Sequence, residues 1–303
     1  MFVIFVTSIA RAGAADNRTM IDALLSIDQE HSHLCSESMS PSAVQQQISR
    51  LADEIRVASV DRPTSSDAGA LIRTVNEVLF GPDGLRSSQD LHNPCNLLVS
   101  GVLARGQGYC VGIAGIYLGV AEELGLPVFA VATPSHVFLR YDDGATRINI
   151  ETDGGTTVPD ARYIEQQRIA PDSLRRGIFM MNMPRDAFLA HVRNNLGVIA
   201  SERGDFVRAR AEYEAALSLD RRLPAGWYNL GKDMQAQGRH REAVRALTRA
   251  IELHPNDTWA LNNRAMSYGA LHKPAKARRD LEDALRIDPG FDQARQNRER
   301  LPP

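Results

Sequence analysis

The sequence predicts an α+β domain followed by an all-α solenoid of helical repeats, and three observations carry that prediction. The last third of the chain repeats itself every 34 residues. Upstream, apolar residues recur first at helical spacing and then, from Pro127, in alternation. Helices that precede a small antiparallel sheet make an α+β arrangement, because the sheet must bury one face against them.

At 303 residues, with 43% hydrophobic and 24% charged residues, the chain is long enough for two domains that each bury a core. A formal charge of -2 gives no electrostatic case for nucleic acid or an acidic membrane surface. The opening stretch "MFVIFVTSIARAGAAD" has an apolar run of signal-peptide length followed by Ala12, Gly13 and Ala14 in an A-x-A-like pattern. It lacks a basic n-region, so residues 1–17 read as a signal-like segment or as the first element of the folded domain. Export to a periplasmic or secreted location and retention in the cytoplasm both stay open. No later stretch is long and apolar enough to span a bilayer.

Residues 41–57 have helical apolar spacing until "DRPTSSD" breaks it, and 67–80 form a second amphipathic helix ended by "GPDG". The next helix is expected over Asn96–Leu103. From Pro127 the stretch "PVFAVATPSHVFLRYDDGATRINIETDGG" reads as strands with a hairpin.

Between them, "GQGYCVGIAGIYLGVAEELGLP" puts Cys110 in the first turn of a helix running to about Leu124, where Gly125 and Pro127 stop it. A thiol there meets the positive end of the helix dipole, which favours thiolate, and the unpaired N–H groups can hold an oxyanion. Gly106 and Gly108 let the backbone turn before the helix. A thiolate nucleophile needs a base and a group that orients the base, and "TPSHVFLRY" supplies His136 on a strand. Asp143-Gly144 is a favoured two-residue hairpin turn, so partners have residue numbers summing to 287. Glu151 then faces His136 directly, at imidazole–carboxylate reach, and Asp153 is the diagonal second choice. Gln107 and Asn96 are both candidates to donate an N–H to the oxyanion, and the sequence does not choose between them.

Three cysteines leave at least one thiol unpaired. Cys95 reads as a packing residue, or, under oxidising conditions, as a partner for Cys110 or Cys35 that would silence the thiol. His31, His33 and Cys35 in "EHSHLC" share one face if extended, a soft-metal arrangement with no fourth ligand nearby. No metal and no cofactor is therefore expected.

The 34-residue segments begin at Ala190, Pro224 and Thr258. Equivalent positions carry Gly197, Gly231 and Ala265, then Ala209, Ala243 and Ala277, then Ala216, Ala250 and Ala284. Small residues recur where paired helices touch, and Pro255 and Pro289 end the second helix of a unit. These residues resemble the tetratricopeptide pattern, over roughly 190–303, with "FDQARQNRERL" starting a capping helix. The resemblance implies a binding scaffold for a protein or peptide. Its concave face is expected to present Asn194, Tyr228, Lys232, Asn262 and Met266. Val198 stands where a carboxylate clamp needs a hydrogen-bonding side chain, which argues against that binding mode.

Cysteine at a helix start, histidine on a strand and a carboxylate on the next strand resemble the transglutaminase-like superfamily, with its papain-like Cys-His-Asp triad. The stretch from "NEVLFGPDG" to "ATPSHVFLR" looks like the bacterial SirB-type branch, often joined to tetratricopeptide repeats; the match covers about 60–165 within a domain placed at 40–185. The resemblance implies Cys110 as nucleophile, His136 as base and acid, and Glu151 or Asp153 as orienter. Two departures are visible: the third member is usually Asp, and many SirB-type relatives lack the cysteine that this chain keeps. The expected function is cysteine-dependent acyl transfer on protein or peptide amides, as a protease-like amidase or a cross-linking transferase. The alternative is an inactive fold acting as a protein-interaction adaptor.

Overall fold

The computed structural model describes residues 18–60, 67–90 and 92–301. The signal-like segment 1–17 lies outside the described residues. Helix α1 (Met20–Glu30) starts on a capping box, Thr19 accepting from the Asp22 N–H while the Asp22 carboxylate accepts from the Thr19 N–H. The amphipathic stretches form α2 (Pro41–Val60) and α3 (Ala68–Phe80), and Val44, Ile48, Ala52 and Ile55 make the buried stripe of α2.

The helix expected over Asn96–Leu103 is divided. Pro94–Asn96 form a separate 3-10 turn, capped by the Asn93 side chain accepting from the Cys95 N–H, and α4 is Val99–Arg105. The extended backbone of Leu98 interrupts the run. Cys95 also departs from a packing role: it forms a disulfide with Cys35, tying the loop after α1 to this turn and leaving Cys110 as the free thiol. Short strands β1 (Arg86–Ser87) and β2 (Gln107–Gly108) pair in parallel, and Gly106, at φ 63°, turns the chain out of α4 into β2.

Helix α5 (Cys110–Glu123) is apolar all round and buried from Cys110 to Ala121, which makes it the central helix of the first domain. Gly112 allows its first turn to lie on the Pro94–Asn96 turn, since a Cβ there would stand 2.6 Å from the Asn96 carbonyl oxygen. The sheet follows in the order β3 (Val128–Ala132), β4 (Val137–Asp142), β5 (Arg147–Ile150), all antiparallel.

The register between β4 and β5 differs from the expected one. Leu139 pairs with Ile150 and Asp142 with Arg147, so partner numbers sum to 289. The Asp143 carboxylate, accepting from the N–H groups of Ala145 at 2.9 Å and Thr146 at 2.6 Å, builds a longer loop than Asp143-Gly144 alone would close. A slip of two residues keeps every side chain on its original face, whereas a slip of one would have reversed them.

After α6 (Asp160–Gln166) and α7 (Pro171–Arg175), the chain runs along the free edge of β3, the N–H groups of Met180 and Met183 donating to Ala132 and Ala130. The repeats are the helix pairs α8 (Arg185–Glu202) with α9 (Phe206–Leu219), α10 (Pro224–Ala236) with α11 (His240–Leu253), and α12 (Thr258–Ala270) with α13 (Pro274–Ile287), followed by α14 (Asp292–Glu299). Ala209, Ala243 and Ala277 are fully buried where each pair touches, as the repeat pattern requires. Phe188 and Val192 of α8 share one core with α1 and α5.

Among the polar contacts that fasten the repeats to the first domain, buried ones stand at two places. His31 Nε2 lies 3.0 Å from Glu212 Oε1, and Arg193 bridges Glu212 and Glu30. Further along, Ser173 Oγ donates to the Leu253 carbonyl at 3.0 Å. The soft-metal reading of "EHSHLC" is overturned by the same contacts. His31 is spent on Glu212 and the Ile27 carbonyl, His33 accepts from Arg208, and Cys35 is in the disulfide.

Candidate active site

Cys110 is the first residue of α5 and 9% exposed, opening into a cleft of about 1140 Å³ walled on one side by the first domain and on the other by the repeats. No side chain caps α5, so the N–H groups of its first turn stay directed toward the cleft end of the helix. His136 stands immediately before β4 and lines the same cleft. Its backbone is fixed by Thr133, whose N–H and Oγ1 both donate to the His136 carbonyl while Oγ1 accepts the His136 N–H.

His136 Nε2 is 2.7 Å from Glu151 Oε2. Cys110 is a further hydrogen-bonding neighbour of the same imidazole. Burial opposes charge on the imidazole, but hydrogen bonds to Cys110 and Glu151 and the negative charge of both push it up to about 10. Glu151 is held below the usual carboxylate range: burial would raise it, and the hydrogen bonds from His136 and Tyr163 with the His136 charge outweigh burial. The structure therefore gathers Cys110, His136 and Glu151, while Asp153 is exposed in the turn after β5. The two-residue register slip places Glu151 diagonal to His136, and the longer carboxylate reaches back across that offset.

Tyr163 on α6 is a site residue that the sequence pattern did not reveal. Its hydroxyl donates to Glu151 Oε1, and its ring stacks on Phe138 at 4.3 Å between centroids. Beyond β5 the sequence spacing has no simple period, so only the packing of α6 on the sheet brings Tyr163 to Glu151. Tyr109, just before Cys110, is pushed up by burial, then by the charge and hydrogen bond of Cys110.

The oxyanion candidates are corrected. Gln107 lies outside the cleft walls. Asn96 lines the cleft, but its amide donates to Ser88 Oγ at 3.0 Å and the Asp90 carbonyl at 2.9 Å, leaving no N–H for an oxyanion. The N–H groups opening α5 have no side-chain cap. Among the groove residues, Asn194 and Tyr228 face the cleft, and Asn194 Oδ1 accepts from Asn229. Lys232 and Met266 are exposed outside its walls, and Asn262 is buried, accepting from Asn297 of the capping helix α14. On the repeat side the cleft runs along α8 of the first repeat and takes in the starts of the second and third repeats.

Among the described residues no helix is long and apolar enough to cross a membrane. Residues 42–169 match the model of the transglutaminase-like superfamily, and residues 190–222 and 222–289 match models of the tetratricopeptide repeat. The chain is 28% identical over 218 residues to a UPF0162 protein of Xylella fastidiosa strain 9a5c, covering 71% of this chain and 67% of the relative. A UPF0162 protein of Pseudomonas aeruginosa is 24% identical over 267 residues, 82% of this chain and 96% of the relative. Among solved structures, the first TPR of Spaghetti bound to an HSP90 peptide is 22% identical over 36% of this chain and 87% of that one, with a TM-score of 0.36. The chain therefore carries a transglutaminase-like domain at residues 42–169 followed by tetratricopeptide repeats at 190–289.

Proposed function

We propose that the protein is a cysteine-dependent acyl-transfer enzyme acting on polypeptide amides that enter the cleft between the two domains. The observation that carries this reading is the hydrogen-bonded series Cys110, His136, Glu151 at the floor of that cleft. Cys110 Sγ attacks the amide carbonyl carbon, and the N–H groups opening α5 stabilise the oxyanion. The C–N bond breaks as the His136 imidazolium gives its proton to the leaving amine, and a thioester remains on Cys110. Water or an amine, deprotonated by His136, attacks the thioester and releases an acid or a new amide. Glu151 holds the ring orientation and balances its charge, and Tyr163 holds Glu151. The resemblance to the SirB-type branch fits a domain pairing in which the repeats present a protein or peptide to the thiol.

The test is intact-mass spectrometry after incubation with a peptide library. A hydroxylamine-labile acyl adduct on Cys110, absent from Cys110→Ala, is the expected result. Absence of any adduct, together with iodoacetamide labelling of Cys110 that is indifferent to His136→Ala, would leave the adaptor reading in its place.

A further inference from the structure

We infer that the repeat end of the cleft holds a second recognition subsite, built around His254, for a neutral aromatic side chain bearing a hydrogen-bond donor, tyrosine or tryptophan, on the bound polypeptide. The inference deepens the acyl-transfer reading and rests on it for the identity of the occupant as substrate.

The repeat pattern itself marks His254 as unusual. At intervals of 34 residues, the residue that ends the second helix of each repeat is Asp220, His254 and Asp288. Asp220 and Asp288 each turn Oδ1 back to accept the N–H two residues on, from Arg222 at 2.8 Å and Gly290 at 3.2 Å. A histidine in the middle repeat gives up that turn-forming contact. His254 is 8% exposed, its Nε2 is buried without a hydrogen-bond partner, and it lines the cleft.

The chemistry of the occupant follows from the surroundings. Burial pushes the imidazole down to about 4, so the ring is neutral near neutral pH. Its Nδ1 faces the Asp257 carboxylate at 4.0 Å, which favours the proton on that nitrogen and leaves Nε2 as an acceptor. A carboxylate ligand meets no positive charge on His254 and is repelled by Asp257, and the nearby Arg176 and Arg222 guanidiniums are already donating to the Glu252, Arg176 and Gly177 carbonyls. A cationic one meets Arg176 and Arg222 in the same wall. The remaining walls are apolar and aromatic: Phe179 packs edge-on to His254 at 5.1 Å, and Leu223 and the 55% exposed Trp259 complete them. An aromatic ring with one donor at its tip satisfies both the walls and Nε2.

The experiment titrates the full-length protein with N-acetyltyrosinamide and with N-acetylphenylalaninamide while the assigned Trp259 indole signal is followed by NMR. The tyrosine probe is expected to saturate the shift at roughly tenfold or more lower concentration than the phenylalanine probe, and His254→Phe to erase the difference. Equal binding of the two probes, no shift with either, or a tyrosine preference that survives His254→Phe would overturn the subsite. Neither probe requires Cys110 to react, so the two readings fail separately. Binding without an acyl adduct on Cys110 removes the enzyme, and an adduct without tyrosine preference removes the subsite.

Discussion

His136 Nε2 and Glu151 Oε2 stand 2.7 Å apart across a strand pair whose register would seat Glu151 one diagonal step away from the histidine. Together with Cys110 the contact favours the charged imidazole, and its removal has a defined consequence. Glu151→Gln keeps the shape of the side chain and takes away the negative charge, so the His136 titration moves from about 10 toward its ordinary 6.5. The imidazole carbon-bound proton signal reports this directly, and iodoacetamide alkylation of Cys110 near neutral pH slows. Replacing the proposed base outright in His136→Ala is expected to reduce acyl-adduct formation by on the order of a hundredfold.

The same pair defines a pH window for stability. His136 has its folded value raised, so its contribution is complete below 6.5 and disappears as pH climbs through about 10. Glu151 has its folded value lowered, so its contribution is present above 4.5 and disappears as pH falls through the depressed value. Denaturant midpoints measured across pH should therefore decline above neutrality in the wild type and decline less in His136→Ala.

Tyr163→Phe tests the support behind the carboxylate. The ring that stacks on Phe138 is retained, while the hydroxyl that donates to Glu151 is lost. The variant should lose about 1–3 kcal/mol in chemical denaturation. Its adduct formation should fall as well, because Glu151 becomes free to leave His136.

The Cys35–Cys95 disulfide joins residues 60 positions apart and anchors the turn on which the first turn of α5 rests. Restricting a loop of that length in the unfolded chain stabilises by about 4 kcal/mol. The Cys35→Ala, Cys95→Ala double variant should lose an amount of that order in urea titration, and so should the wild type after reduction.

Glu212→Ala tests the fastening between the domains. It removes the acceptor of the buried His31 and one partner of Arg193, at a cost of about 1–3 kcal/mol. Burial works against charge on His31 and the Glu212 hydrogen bond prevails, so its value is raised. The stability it lends is complete below 6.5 and is lost as pH rises through the raised value. Calorimetry should show one melt in the wild type and two transitions in this variant.

The repeats were legible because each is a local object: Ala209, Ala243 and Ala277 recur every 34 residues and touch the helix next to them in sequence. Helix α5 with Cys110 at its start, and His136 with Glu151 on one face, were legible for the same reason. Helix spacing and strand alternation are short-range, and parity survives a two-residue slip. The register itself was decided by the Asp143 loop, which is a hydrogen-bonding choice rather than a spacing.

Contacts between distant segments were left to the tertiary structure. It paired Cys35 with Cys95, brought Tyr163 to Glu151, spent the Asn96 amide on Ser88 and Asp90, and set the repeats across the thiol to make the cleft. No periodicity encodes these, because each depends on where separately formed elements pack. The sequence by itself determined which residues could be nucleophile, base and orienter and that helical repeats follow them. Only the packing decided what those residues face.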